Sequence, residues 1–207
     1  MAMDRKEHWE RIYSSKSASE LSWYQRHPHQ SLDLIEKTGV ASTASILDVG
    51  GGDSTLVDHL VERGHRGVTV LDLSGAALRR ARERLGPRAD SVTWREGDVL
   101  TVDLPPASVD VWHDRAVFHF LTRPEDRAAY VDRVRRIVRP NGHVIVATFA
   151  DDGPSQCSGL PVERYTAETL SAEFGVGFRL VTSVRETHRT PSGVEQRFVY
   201  CVWLWSG

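Results

Sequence analysis

The sequence predicts an α/β domain with a doubly wound, mostly parallel sheet. Three observations carry this. Short apolar, β-branched runs alternate with helical patterns through residues 45–149, as in βαβ units with right-handed crossovers. The first run ends in Asp48-Val49-Gly50-Gly51-Gly52, a carboxylate and three glycines that suit a tight strand-to-helix turn. Two apolar runs near the C-terminus flank Thr190-Pro191-Ser192-Gly193, a hairpin that adds an antiparallel strand to an otherwise parallel sheet.

The elements follow in order. Residues 4–15 and 28–38 read as helices ahead of the sheet, and the segment between them carries Trp23-Tyr24. Strands are expected at Ser45–Val49, Gly67–Leu71, Ser91–Arg95, Val109–Trp112 and His143–Phe149. Helices are expected at Thr55–Arg63, Gly75–Leu85 and Pro124–Val138. Gly64 ends the first of these, Gly86-Pro87 the second, and Pro124 opens the third, where its missing N–H has no partner to lose. Pro140-Asn141-Gly142 reads as a turn into the fifth strand. The C-terminal hairpin joins Arg179–Arg185 to Arg197–Trp205.

Composition removes several classes. At 207 residues the chain is long enough for one domain with a sizeable core. A formal charge of −2 gives no sign of a nucleic-acid partner. No apolar run approaches the roughly 18 residues of a membrane span, and the charged start from Asp4 is unlike a signal peptide. The two cysteines, Cys157 and Cys201, lack metal-ligand spacing, so no metal is expected; unpaired thiols suit a reducing cytoplasm. A monomer or homodimer is expected.

In an open parallel sheet, ligands bind beyond the carboxyl ends of the strands. Five positions fall at such ends: Asp48 with its glycines, Asp72-Leu73, Gly97-Asp98-Val99, His113-Asp114-Arg115, and the loop from Phe149. Asp48 would repel a dinucleotide pyrophosphate and attract an ammonium or sulfonium. The loop therefore points to S-adenosylmethionine (SAM) rather than NAD, and so to methyl transfer. Asp72 lies twenty residues after Gly52, where an acid can accept from both ribose hydroxyls; capping the next helix is its bland alternative. Asp98 suits an adenine amino group, or merely a turn.

At this point the chain resembles the class I, Rossmann-like SAM-dependent methyltransferases. The family pattern D/E-x-G-x-G-x-G appears as Asp48-Val49-Gly50-Gly51-Gly52-Asp53-Ser54, with Ser54 in place of the last glycine. Asp72 and Asp98 match the family's two later acids. The resemblance covers about residues 45–150 and implies a seven-stranded sheet of order 3-2-1-4-5-7-6, with strand 7 antiparallel. It implies cofactor contacts from Tyr13, Trp23, Asp48, Gly50, Gly51, Gly52, Ser54, Asp72, Leu73, Asp98, Val99 and the main chain of His113.

Trp9…Tyr13, Leu21-Ser22-Trp23-Tyr24 and Trp112 to Phe120 resemble a narrower branch. That branch includes methyltransferases of small heterocycles and thiols and relatives of protein-lysine methyltransferases. Many members carry Asp-Arg-Gly where this chain has Asp114-Arg115-Ala116. The resemblance implies a single domain, with residues 1–40 covering the cofactor and 41–207 forming the core.

Candidate catalytic residues are His119 and His113, the neutral-pH bases near the site, each with a structural histidine as its alternative. Candidate acceptor contacts are Tyr24, Asp114, Arg115 and Cys157. Asp114 and Arg115 also read as an internal ion pair, and the loop around Cys157 as a lid or plain connection. The expected function is SN2 methyl transfer to an N, O or S nucleophile of a small molecule. A protein-lysine acceptor and a non-catalytic SAM- or NAD-binding module stand as alternatives.

Overall fold

The computed structural model describes residues 5–207. Two helices precede the sheet: α1 (Arg5–Ser15) and α2 (His29–Lys37). Then come β1 (Ser45–Val49), α3 (Leu56–Glu62), β2 (Gly67–Asp72), α4 (Gly75–Leu85) and β3 (Thr93–Glu96). The second half holds β4 (Val109–Arg115), α5 (Pro124–Ile137), β5 (Val138–Phe149), β6 (Gln156–Cys157) and β7 (Leu160–Pro161). It ends with α6 (Ala167–Phe174), β8 (Phe178–Arg189) and β9 (Glu195–Trp205).

The main sheet runs β3-β2-β1-β4-β5-β9-β8. β6 and β7 form a separate small hairpin, so this is the expected 3-2-1-4-5-7-6 order. β1 through β5 pair in parallel, and β9 pairs antiparallel with both β5 and β8. The β1–β4 register sets Asp48 beside His113, and β1–β2 sets Val49 beside Leu71. Three carboxylates, Asp48, Asp72 and Asp98, are thereby gathered at one edge.

Period-two alternation sorts the core into two layers. Leu47, Trp112, Val144, Val146, Cys201 and Trp203 face α5 and α6, where Trp203 stacks on Phe174 at 4.4 Å between ring centroids. Ile46, Val111, Ile145, Ala147, Tyr200 and Val202 face α2, α3 and α4. A third cluster seats α1 on α4 through Tyr13, Ala76 and Ala77.

Three local features differ from expectation. Pro140-Asn141-Gly142 does not precede β5 but lies within it. Val109 pairs Val138 and Val111 pairs His143, so residues 139–142 bulge out, with Asn141 at φ 64°. Helix α6 has little sequence signal, because only Leu170 and Phe174 are buried and Thr169, rather than Glu or Gln, closes its capping box with Thr166. Asp114 and Arg115 make no ion pair with each other; each is committed elsewhere, as described below.

Candidate active site

The glycine loop leaves β1 under strong constraint. Gly50 (φ 65°) and Gly52 (φ 45°) take left-handed backbone, where a side chain is strained. The amides of Gly50 and Gly51 both donate to the Leu71 carbonyl, at 2.7 and 3.3 Å, tying the loop to β2. A Cβ at Gly52 would stand 2.7 Å from the Tyr13 hydroxyl and 2.8 Å from Asp72 Oδ2. One at Gly50 would strike Val117. Asp53, buried behind the loop, takes Arg80 at 2.9 Å on Oδ2 and Arg84 on Oδ1, clasping the loop to α4.

Asp48 ends a buried polar chain. Its Oδ1 lies 2.8 Å from His113 Nδ1, and His113 Nε2 lies 2.9 Å from the Ser31 hydroxyl of α2. Its Oδ2 is buried without a partner. An anionic oxygen held in place with one lone-pair face open fits a cationic ligand group.

Asp72 accepts from the Ser74 amide at 2.8 Å. Burial, with Asp48 and Glu10 nearby, lifts its carboxyl to about 7. Asp98 accepts from the Leu100 amide at 2.9 Å. Glu10 of α1 accepts from the Ser74 hydroxyl at 2.5 Å and the Ala76 amide at 3.2 Å, so it closes the start of α4. The Ser74 hydroxyl chiefly holds the Glu10 carboxyl below its usual range.

These groups surround an open cavity of about 800 Å³. Asp72, Leu73, Asp98 and Val99 line one side; Trp9, Tyr13 and Trp23 come from the N-terminal segment; Arg115, Val117, Phe120 and Cys157 line the rest. A second cavity of about 550 Å³ holds Ser31, Asp48, Gly51, Ser54, His113 and Tyr24. Trp23, Val49, Gly50 and Arg115 border both, so the two adjoin.

The remaining sequence candidates separate. His119 is fully buried and lines neither cavity; its Nδ1 accepts from the Phe149 amide at 3.3 Å. Burial, then the Arg115 charge, lowers it to about 3. Asp114 also lines neither cavity. It accepts from the Tyr130 hydroxyl at 2.6 Å and the amides of Val117 (2.9 Å) and Phe118 (3.1 Å), which shapes the turn where Ala116 sits at φ 72°. Burial raises its carboxyl to about 6. Burial likewise pushes the Cys157 thiol up to about 11. Arg115 Nε donates to Tyr200 at 2.9 Å and its Nη1 to the Trp23 carbonyl at 3.2 Å.

The N-terminal segment is held by its main chain. His188 Nε2 lies 2.7 Å from the Ser22 carbonyl, Thr55 donates to the Gln25 carbonyl at 2.7 Å, and His59 Nε2 lies 3.2 Å from that of Arg26. Glu10, Ser31 and Phe120 escape sequence reasoning. Ser31 meets His113 only through α2, and Phe120 reaches the cavity through a short 3-10 turn. Trp9 carries a usable signal, since it sits four residues before Tyr13 on one helix face. Among the described residues no group of three His, Cys, Asp or Glu is placed to hold a metal ion, and no helix is long and apolar enough to cross a membrane.

Comparison with known proteins finds methyltransferases. The methyltransferase-domain family matches residues 46–142. An uncharacterised methyltransferase of Mycobacterium tuberculosis is 34% identical over 127 residues, 61% of this chain and 60% of that protein. The chain's match thus spans about three fifths of that relative's length. EEF1A lysine methyltransferase 2 of Danio rerio is 26% identical over 190 residues, covering 85% of this chain and 76% of that one. Among solved structures, the N-methyltransferase NodS of Bradyrhizobium japonicum with S-adenosyl-l-homocysteine (SAH) aligns at TM-score 0.74 and 15% identity, covering 99% of this chain and 100% of that one. The 1,6-didemethyltoxoflavin-N1-methyltransferase of Burkholderia thailandensis aligns at 0.67 and 23% identity, over 95% and 81%. By fold and by these relatives the chain is similar to the class I, Rossmann-like SAM-dependent methyltransferases, with the family match confined to residues 46–142.

Proposed function

We propose that the protein transfers a methyl group from SAM to an N, O or S nucleophile of a small molecule. One observation carries the reading: Asp48, Asp72 and Asp98 meet the glycine loop around two adjoining cavities, with Asp48 Oδ2 left open. Asp72 would accept from the ribose hydroxyls and Asp98 from the adenine amino group, with Leu73 and Val99 beside the base. Asp48 and the His113 carbonyl would hold the amino-acid end, near Ser54. Gly50, Gly51 and Gly52 let the main chain come close. When bound, SAM supplies a methyl group on a positively charged sulfur, open to in-line displacement.

The protein's task is alignment and exclusion of water, which can supply about 7–11 kcal/mol. Tyr13 and Trp23 would sit beside the sulfonium, where aromatic faces attract cations. Residues 5–40 act as a cover, tied down by Glu10 and by the clamped carbonyls of 22–26.

A small acceptor is favoured by the aromatic walls of the cavity and by a guanidinium on its lining, which opposes a lysine ammonium. The lysine reading is supported by the Danio rerio relative and its 85% coverage of this chain. Labelled SAM discriminates: turnover on phenols, thiols or heterocycles supports the first, and a labelled protein band from cell lysate with no small-molecule turnover supports the second. Calorimetry with SAH and NAD tests the common ground, and preference for NAD would sink both.

A further inference from the structure

Among the described residues, Arg115 is the one cationic side chain on the border of both cavities. Its Nη2 is buried and makes no hydrogen bond, with Glu186 Oε2 3.5 Å away. Glu186 lines neither cavity, and its oxygens already accept from Gln25 at 2.9 Å and Tyr200 at 3.0 Å. The guanidinium is fixed from behind by Tyr200, Glu186 and the Phe198 ring 4.3 Å beneath it. A guanidinium fixed in this way on the lining of both cavities is a ready anion contact.

Among the described residues, and apart from Asp72 and Asp98, the same cavity is lined by no neutral-pH base. His119 and Asp114 stand outside its lining. Tyr13 and Cys157 line it, but burial holds both protonated near neutrality. Asp72 and Asp98 are taken by the nucleoside in the reading above. Nothing on the acceptor side is poised to remove a proton during transfer.

We infer that the acceptor is an acidic nucleophile, a thiol, phenol or acidic ring N–H, which enters as its anion and lies against the Arg115 guanidinium. This rests on the methyl-transfer reading and names its substrate class. The acceptor's proton leaves to solvent before transfer. Its lone pair then forms the bond to the methyl carbon as the C–S bond breaks, and the departing pair neutralises the sulfonium. A sulfonium and a guanidinium together favour the anion, so no general base is required.

The test uses the full chain with SAH and p-nitrophenol, at a pH below the phenol's solution pKa. Binding is expected to bring up the ionised chromophore, and Arg115→Ala to abolish it. With labelled SAM, thiophenols and phenols are expected to be methylated in preference to matched anilines. The acidic limb of the kcat/KM profile should move with the acceptor's pKa across a substituted series. Arg115→Ala should lower kcat/KM about 10- to 100-fold, the size of one lost hydrogen bond to a charged group. Arg115→Lys or added guanidinium should restore part of it, which a merely structural role would not allow. A neutral bound chromophore, no binding by any phenol or thiol, a limb indifferent to acceptor pKa, or preferred methylation of amines overturns the inference. Failure to bind SAH overturns the methyl-transfer reading itself.

Discussion

Asp72 carries two opposed demands. Its folded carboxyl titrates at about 7, above the ordinary 3.8, chiefly because it is buried. Between those values the folded protein keeps a proton that the unfolded chain releases. Stability of the ligand-free protein therefore falls as pH rises through that window, and the whole penalty, on the order of 4 kcal/mol, is present above it. Asp72→Asn is expected to raise the ligand-free Tm at pH about 8 far more than at pH about 4 in thermal melts. The same change should weaken SAH binding about 10- to 100-fold by calorimetry, since an amide cannot accept two ribose hydroxyls as a carboxylate does. Gly52→Ala should cost about 1–3 kcal/mol in denaturant melts and lose SAH binding, because its Cβ meets Tyr13 and Asp72. Gly64→Ala, at φ 85° with open space around it, should share the backbone strain yet keep SAH affinity.

Among the elements, the joints of α4 and β4 matter most. Glu10 closes the start of α4 from a different helix, so Glu10→Ala should cost about 0.5–2 kcal/mol, as loss of a cap does. It should also speed proteolytic cutting within residues 5–16. Asp114→Ala removes three buried hydrogen bonds and should destabilise by about 3 kcal/mol or more, with Asp114→Asn milder; circular-dichroism melts check both. The inner parallel strands β1, β2 and β4 were legible because both of their faces are largely buried, and such runs are rich in apolar residues, whereas β3 is mostly exposed. Gly75–Leu85 was legible to the residue because Ser74 caps it and Gly86 stops it. What stayed hidden was set by tertiary contact. Helix α6 buries two residues, and His119 looks like a base until Phe149 and Phe120 close around it. The carboxylates of the cavity follow strand ends, which sequence marks. Its remaining wall depends on Trp9, Phe120 and Arg115 arriving from three distant segments.

For the whole molecule, the sheet and the N-terminal segment have separate supports. The two core layers rest on the sheet and its helices, whereas α1 rests on α4 through a small third cluster. A chain lacking residues 1–16 is expected to keep a cooperative thermal melt, with the ellipticity of one helix fewer, and to lose at least about tenfold in SAH affinity, because Tyr13 and Glu10 leave with it. SAH should in turn protect the cover of the intact chain from proteolysis.

Four clamps on residues 22–26 grip carbonyl oxygens: Ser22 by His188, Trp23 by Arg115, Gln25 by Thr55 and Arg26 by His59. Peptide oxygens are the same whatever side chain follows. The strip is therefore moored by atoms that mutation does not alter, while the rings it presents are free to change. A saturation library at Tyr24 should yield mostly folded proteins, and new acceptor preferences can be selected there while Trp23 is left in place beside the methyl donor.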